Sequence, residues 1–236
     1  LRIALWLYRL SVRDGHPDKS YLEWAEKSWS WFLQSGMINP QHLINDGLEN
    51  CRNNGQNPWT YNQGVILGAL ADLYRIKGDK AYLDQAYQIA EANISYNSSD
   101  NGILMEKGCG DSNCGNDGAI FKGIFIRNLE VLLKASPAER PERERMEKFL
   151  ARNAGAAWAN RLDTGLFGVR WDRVFPGGQQ VSAQCAGLDL LLAAPSDPHA
   201  PAAAPKVCLH DKADFGGAGA CYQVPTEIWL LPENLN

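Results

Sequence analysis

The run Trp59-Thr60-Tyr61-Asn62-Gln63-Gly64 sets an indole, a phenol, a hydroxyl and two amides on six consecutive positions. Aromatic faces pack on the apolar C–H face of a pyranose, and amides hydrogen-bond to its hydroxyls, so the cluster reads as a sugar site. From Ile66 the apolar residues Ile66, Leu70 and Leu73 recur at helical spacing, and Asn62 and Gln63 project onto the same stripe. Amides at one end of an inward face point to a cavity mouth, because buried unpaired amides are costly. The competing reading is a capping box, Thr60-x-x-Gln63, which accounts for those two residues and leaves Trp59, Tyr61 and Asn62 unexplained. Trp59 and Tyr61 are equally readable as core aromatics.

Three further charged residues carry possible chemistry. Asp46 precedes Gly47 in a polar loop, where its carboxylate either accepts two hydroxyls or forms the turn. Lys122 projects inside the apolar arc Phe121, Ile124, Phe125, Leu129, Leu132 and Leu133, so it snorkels out of the arc or reaches into a pocket. Glu106 follows Ile103-Leu104-Met105 at the mouth or on the surface, and Arg127 projects off the arc as a solvated or loop-bracing residue.

These residues must be held by helices in pairs. Asp18-Lys-Ser-Tyr21-Leu22-Glu-Trp-Ala25 returns as Asp79-Lys-Ala-Tyr82-Leu83-Asp-Gln-Ala86, each behind a Leu-Tyr-Arg helix. An internal repeat of this kind marks helical hairpins. The periodicity predicts helices over 1–13, 19–35, 60–77, 79–96, 117–135, 140–160 and 181–194. The segments 36–59 and 97–116 are long and rich in Gly and Asn, which marks a functional face. The expected fold is all-α over 1–195, with helical hairpins that suit a solenoid or an α/α toroid, of which this chain supplies a part. A Pro/Ala linker follows over 196–205, and a short β-rich segment over 206–236 has strands around Val207-Cys208-Leu209 and Ala220-Cys221-Tyr222.

Composition sets the frame. The chain has 236 residues, 45% of them hydrophobic and 21% charged, with a formal charge of −4. No basic stripe exists to neutralise phosphates, which argues against a nucleic-acid partner. No apolar run reaches the length of a membrane-spanning helix. Six cysteines, with Cys109 and Cys114 close together in a Gly/Asn/Asp loop, favour disulfides over a zinc site. Cys208 and Cys221 are a second candidate pair, and Cys51 and Cys185 pair with each other or elsewhere. Asn93-Ile-Ser95 and Asn97-Ser-Ser99 match the glycosylation pattern, and together these features point to a secreted or cell-surface protein, with no metal or cofactor implied. The chain opens at Leu1 without Met and inside an amphipathic segment, which reads as an upstream truncation.

The helical part resembles glycoside hydrolase family 76, the endo-α-1,6-mannanases and related fungal cell-wall transglycosidases. The resemblance rests on Gly36-Met37-Ile38 with Leu43-Ile44-Asn45-Asp46-Gly47-Leu48, on Trp59 to Val65, and on Phe121-Lys122-Gly123-Ile124-Phe125-Ile126-Arg127-Asn128-Leu129, in that order. It implies an (α/α)6 toroid whose open face grips α-mannan or a mannoprotein glycan as a monomer. It implies retaining cleavage or transfer at α-1,6 bonds, which takes two carboxylates. Six hairpins of about 55–60 residues need roughly 350 residues, so this chain supplies about half a ring. The catalytic pair of the family is two adjacent aspartates, and no Asp-Asp occurs in this chain. The expectation is a mannanase part with no catalytic residue of its own and with Asp46, Trp59, Tyr61, Asn62, Gln63 and Lys122 on the substrate-binding side. The alternative is a non-catalytic carbohydrate-binding or scaffold protein derived from the toroid. A sugar epimerase of the same fold would need histidines on inner helices, whereas His16, His42, His199 and His210 fall in loops or linkers. The last thirty residues resemble the start of a βγ-crystallin motif.

Overall fold

A computed structural model of the chain describes residues 1–109, 114–174 and 181–195, together with the backbone of 206–210 and 219–223. The helices are α1 (Arg2–Arg13), α2 (Lys19–Gln34), α3 (Thr60–Lys77), α4 (Ala81–Tyr96), α5 (Gly115–Ala135), α6 (Pro141–Ala159) and α7 (Val181–Ala193). All seven expected helices are present, within two residues at each end. The chain divides into two compact units, Leu1–Pro195 and Ser196–Asn236. In the second, β3 (Lys206–His210) and β4 (Gly219–Gln223) pair antiparallel and set Cys208 opposite Cys221. The linker 196–205 and the Phe215-Gly216-Gly217 segment lie outside the described residues.

The repeated Asp-Lys motif starts the outer helix of two hairpins. Asp18 Oδ1 accepts from the Ser20 N–H at 2.9 Å, and Asp79 Oδ1 accepts from the Ala81 N–H at 2.9 Å. Each satisfies an amide that the first turn leaves without a partner. Helix α3 stops where Gly78 takes a left-handed φ of 71° and returns its N–H to Tyr74, and α6 begins with Pro141. The result is the hairpins α1–α2, α3–α4 and α5–α6, with α7 packed on α5 and α6. This is an all-α, partial α/α toroid.

The inner helices α3, α5 and α7 touch along glycines. A Cβ on Gly64 would lie 2.6 Å from the Phe125 Cα, and one on Gly123 would lie 2.8 Å from the Ala186 Cα. With backbone this close, α3 is buried almost all round from Ile66 to Leu73. One buried carboxylate sits in this packing. Asp72 accepts from Arg2 Nε at 3.0 Å, Trp6 Nε1 at 3.3 Å and Arg75 Nη1 at 3.4 Å, with Arg9 Nη1 at 3.6 Å. Arg2 also donates to Asn128 Oδ1 at 2.6 Å, so one guanidinium ties α1 to both α3 and α5. Gly68 leaves the room for it, since a Cβ there would lie 2.8 Å from the Arg2 guanidinium carbon.

The long connections are less irregular than their composition suggests. After each outer helix the chain makes the same turn, with the N–H of residue 39, 99 or 162 donating to the carbonyl of residue 43, 103 or 166. His42, Gly102 and Gly165 hold the positive φ in the three turns. An apolar residue then plugs the core: Ile44, Leu104 or Phe167, all buried. The first connection adds a hairpin, β1 (Leu48–Glu49) with β2 (Arg52–Asn53), turning at Asn50 and Cys51, both with positive φ.

The cysteine and glycosylation expectations resolve partly. Cys109 and Cys114 form a disulfide, whereas Cys51 and Cys185 are free thiols and do not pair with each other. Both asparagines of the glycosylation pattern are buried, Asn93 at 0% and Asn97 at 1% exposure. The Asn97 amide donates to the Pro58 carbonyl and to Asn93 Oδ1, so neither nitrogen has room for a glycan in this fold. No helix among the described residues is long and apolar enough to cross a membrane.

Two alanine substitutions in helices should act in opposite directions. Gly64→Ala forces the α3 and α5 backbones apart and should cost about 1–3 kcal/mol, whereas Gly155→Ala on exposed α6, with nothing near its Cβ, should gain about 0.5–1 kcal/mol. Urea unfolding of the two variants measures both signs.

Candidate sugar-binding site

The start of α3 meets two of the plugged loops. Ile44 is held by Gln63, whose Oε1 accepts the Ile44 N–H at 2.8 Å and whose Nε2 donates to the Ile44 carbonyl at 2.7 Å. Gln63 Nε2 also reaches the Trp59 carbonyl at 3.1 Å. Gln63 is fully buried, so its amide holds loop backbone and does not face a cleft. The capping-box reading fails as well. Trp59 is the N-cap of α3 with no side-chain cap, and the Thr60 hydroxyl donates to Glu106.

With Ile44 clamped, Asp46 two residues later stands over the first turn of α3. Its Oδ1 accepts from Tyr61 Oη at 3.1 Å and from Asn62 Nδ2 at 3.3 Å. Asp46 is exposed and Tyr61 and Asn62 are half-buried, so the three polar groups converge in water. Burial and the nearby Asp46 charge push the Tyr61 phenol above its usual range, which keeps it a hydroxyl donor. Phe121 from α5 lies between the two aromatics, 4.4 Å from the Tyr61 ring and 5.6 Å from the Trp59 ring, the latter edge-on at 62°. Trp59 itself is half-buried, with its ring against Gly108, where a Cβ would lie 2.6 Å from it. The sequence-derived residues Asp46, Trp59, Tyr61 and Asn62 are thus together, and Phe121 joins them from an arc that reads as core.

Lys122 and Glu106 lie beneath this surface. Glu106, 4% exposed, accepts from the Thr60 N–H at 3.2 Å and from the Thr60 hydroxyl. Lys122, 2% exposed, donates to the Val169 carbonyl at 2.5 Å and sits 4.0 Å from the centroid of the Trp171 ring. It does not snorkel, because a carbonyl and an indole face receive its charge inside the core. Burial pushes Glu106 up to about 7, opposed by the two Thr60 hydrogen bonds and the Lys122 charge. Burial likewise pulls Lys122 down to about 7; Glu106 and Asp172 oppose this and Arg170 adds to it. Arg170 in turn grips Asp172 with two bonds, at 2.8 and 2.6 Å. Arg127 is half exposed and pairs with Asp189 of α7 at 3.5 Å, bracing a helix and not a loop.

The signals missed at the sequence level are the partners of the plugs. Leu104 gives its N–H to Asn153 Oδ1 at 2.7 Å, and Phe167 donates its N–H to Gln184 Oε1 at 2.8 Å while its carbonyl accepts from Gln184 Nε2 at 2.7 Å. Gln63 and Gln184 are each the fourth residue of an inner helix, and that shared position was the available clue.

A pH dependence follows from the buried pair. Folded Glu106 keeps a proton that the unfolded chain releases above its ordinary value of 4.5, so stability falls as pH rises from there to about 7. Folded Lys122 releases a proton that the unfolded chain keeps until its ordinary value of 10.5, so stability recovers above about 7. Thermal unfolding should show a trough near neutral pH, on the order of a few °C deep, that disappears in the Glu106→Gln/Lys122→Met double variant. A trough of the same depth in that variant would assign it to other groups.

Comparison with known proteins gives these residues a context. The family model described as Glycosyl hydrolase family 76 matches residues 1–202. Mannan endo-1,6-alpha-mannosidase DCW1 of Eremothecium gossypii is 31% identical over 171 residues, covering 69% of this chain and 37% of the relative. Mannan endo-1,6-alpha-mannosidase DFG5 of Candida albicans is 30% identical over 192 residues, covering 74% and 41%. Among solved structures, the GH76A alpha-1,6-mannanase of Salegentibacter sp. HEL1_6 superposes with a TM-score of 0.67 at 28% identity, covering 80% of this chain and 55% of that one. An inactive variant of the same mannanase, with two consecutive aspartates changed to asparagine, matches equally well and is a complex with alpha-1,6-mannotriose. The chain spans about two fifths of the length of these curated relatives.

Proposed function

This chain belongs to glycosyl hydrolase family 76, and from that premise we propose that it forms a mannan-binding wall of an enzyme acting on α-1,6-linked mannan. The observation that carries the reading is the convergence of Asp46, Tyr61 and Asn62 beside the Trp59 and Phe121 rings at the start of α3. A carboxylate between a phenol and an amide offers acceptor and donor atoms to vicinal hydroxyls, and the adjoining rings offer an apolar face to the pyranose. The solved mannanase variant in complex with alpha-1,6-mannotriose supports the choice of sugar and linkage.

Retaining cleavage needs a nucleophile and an acid/base, two carboxylates about 5–5.5 Å apart. No two aspartates are consecutive in this sequence, whereas two consecutive aspartates were replaced in the inactive mannanase variant. We therefore assign to these residues the binding and orientation of the mannan chain and not the bond-breaking step. Transfer between cell-wall mannans uses the same binding face, with an acceptor sugar in place of water. The Cys109–Cys114 disulfide supports an oxidising, extracytoplasmic setting, at the cell surface or in the wall. The reading is of a monomer working on α-mannan or mannoprotein glycans without a cofactor.

Asp46→Ala and Trp59→Ala should each weaken the binding of α-1,6-mannotetraose by about 10- to 100-fold, corresponding to about 1–3 kcal/mol for a charged hydrogen bond or a stacked ring. Calorimetric titration of the 236-residue protein measures it beside thermal unfolding. Loss of stability with unchanged affinity would move both residues to the scaffold.

A further inference from the structure

At the start of α3, Tyr61 and Asn62 are oriented by Asp46, whereas the Trp59 indole N–H has no partner among the described residues. The direction of that ring therefore rests on packing. Two contacts supply it. Gly108 lies against the outer edge of the benzo ring, where a Cβ would come within 2.6 Å of Cζ3 and 2.7 Å of Cη2. Phe121 meets the ring edge-on, with the centroids 5.6 Å apart. These contacts come from two different elements, the loop after α4 and the body of α5, and the Cys109–Cys114 disulfide ties the two together. Cys109 directly follows Gly108, and Cys114 stands two helical turns before Phe121. Gly108 is thus held along the chain from both directions. Upstream, Glu106 accepts the Thr60 N–H at 3.2 Å, and the Cys109 N–H closes the Lys107–Cys109 turn onto the Glu106 carbonyl at 3.0 Å. Downstream, Cys114 begins α5 with a left-handed φ of 61°. Gly118 leaves room for the bridge, since a Cβ there would lie 2.8 Å from Cys114 Cβ and 3.5 Å from Cys109 Sγ.

We propose that the Cys109–Cys114 bridge is a clasp for Trp59: it holds Gly108 and Phe121 at a fixed separation, so that Gly108, Cys109 and Cys114 are positioning residues for the sugar-facing indole. The clasp stands on geometry, and that a sugar stacks on the ring rests on the mannan-binding reading above. Cysteines with a sequence separation of 5 close a short loop, which removes less denatured-chain entropy than a long one, so global stability is not the main effect of this bridge. Its effect is local. Without the bond, the turn that carries Gly108 is anchored only at its Glu106 end, Gly108 is free to back away, and the indole gains rotamers that point its face elsewhere. A ring that must first be ordered binds its sugar with the cost of ordering subtracted.

The test uses the 236-residue protein labelled with fluorotryptophan, its Trp59 fluorine resonance assigned by Trp59→Phe. In Cys109→Ser/Cys114→Ser that resonance should broaden or move. Affinity for α-1,6-mannotetraose should fall about three- to tenfold, the share of a stacked ring's contribution that depends on its orientation. The same cysteine change should lose nothing further in a Trp59→Ala background and the same factor again in an Asp46→Ala background, whereas general loosening would lower affinity in both. Gly108→Ala keeps the bridge and should move the same resonance with a comparable loss of affinity. Should the serine variant fail to fold, dithiothreitol treatment of the folded protein gives the same readings: the bond takes up two electrons and two protons as the reagent closes to its cyclic disulfide. An unmoved Trp59 resonance, or an equal loss of affinity in the Trp59→Ala background, would overturn the proposal. A moved resonance in a protein whose wild type has no affinity for mannotetraose would uphold the clasp and overturn the mannan reading.

Discussion

A loop that dips an apolar residue into a helical core also buries that residue's peptide, and a buried peptide needs hydrogen-bond partners. The arrangement of the mouth follows from how this chain meets that demand. Gln63 and Gln184 each offer an acceptor and a donor with the spacing of a neighbouring strand, and Ile44 and Phe167 pair with them as they would with backbone. Asn153 does half of this for Leu104 from an outer helix. An unpaired buried amide costs on the order of 1–3 kcal/mol, so each clamp fixes its loop in register as well as in place. Asp46 and Glu106 point where they do because the residue two positions earlier cannot slip.

This explains what the sequence made legible and what it hid. Helices were legible because local signals specify them: apolar spacing, Asp18 and Asp79 at the starts, Gly78 at an end. The convergence of Trp59, Tyr61 and Asn62 with Asp46 was legible as a cluster of residue types, since three of the four lie in one turn. Gln63 shared that turn and that apolar stripe, yet it faces a peptide. Side-chain type alone cannot tell an amide that binds a sugar from one that binds a backbone, because both partners present the same donor and acceptor. Lys122 was visible as an anomaly on an apolar arc, but its receptors, Val169 and Trp171, lie almost fifty residues away and carry no mark of that role. The two glycosylation patterns show the reverse error, in which a local motif is present and tertiary burial cancels its chemistry.

Close helix contact is the second constraint, and it works with the first. Where Gly64 and Gly123 bring backbones together, the inner helices leave little room for long side chains along their shared face. Charged groups in that zone must be met at fixed points. Asp72 meets three guanidinium groups, and Arg2 extends the same node to Asn128 on the next inner helix. Glu106 is met by Thr60, and Lys122 by the Val169 carbonyl, in the same way. Each such node costs desolvation, and what it returns is a single register between neighbouring helices and loops.

Repetition then gives the fold a way to divide labour. Asp46 and Glu106 occupy the same place in successive turns, two residues beyond a clamped plug, and both are carboxylates reached by the first turn of α3. Solvent exposure separates them: one keeps its acceptors available to a hydroxylated ligand, and the other spends them on Thr60. An exposed carboxylate that rests on a phenol and an amide is useful for recognition only if those donors hold still. The buried carboxylate beneath fixes the helix start that bears them. Under the proposed reading, recognition at the surface and register below are two uses of one repeated position, distinguished by whether water or the protein supplies the donors.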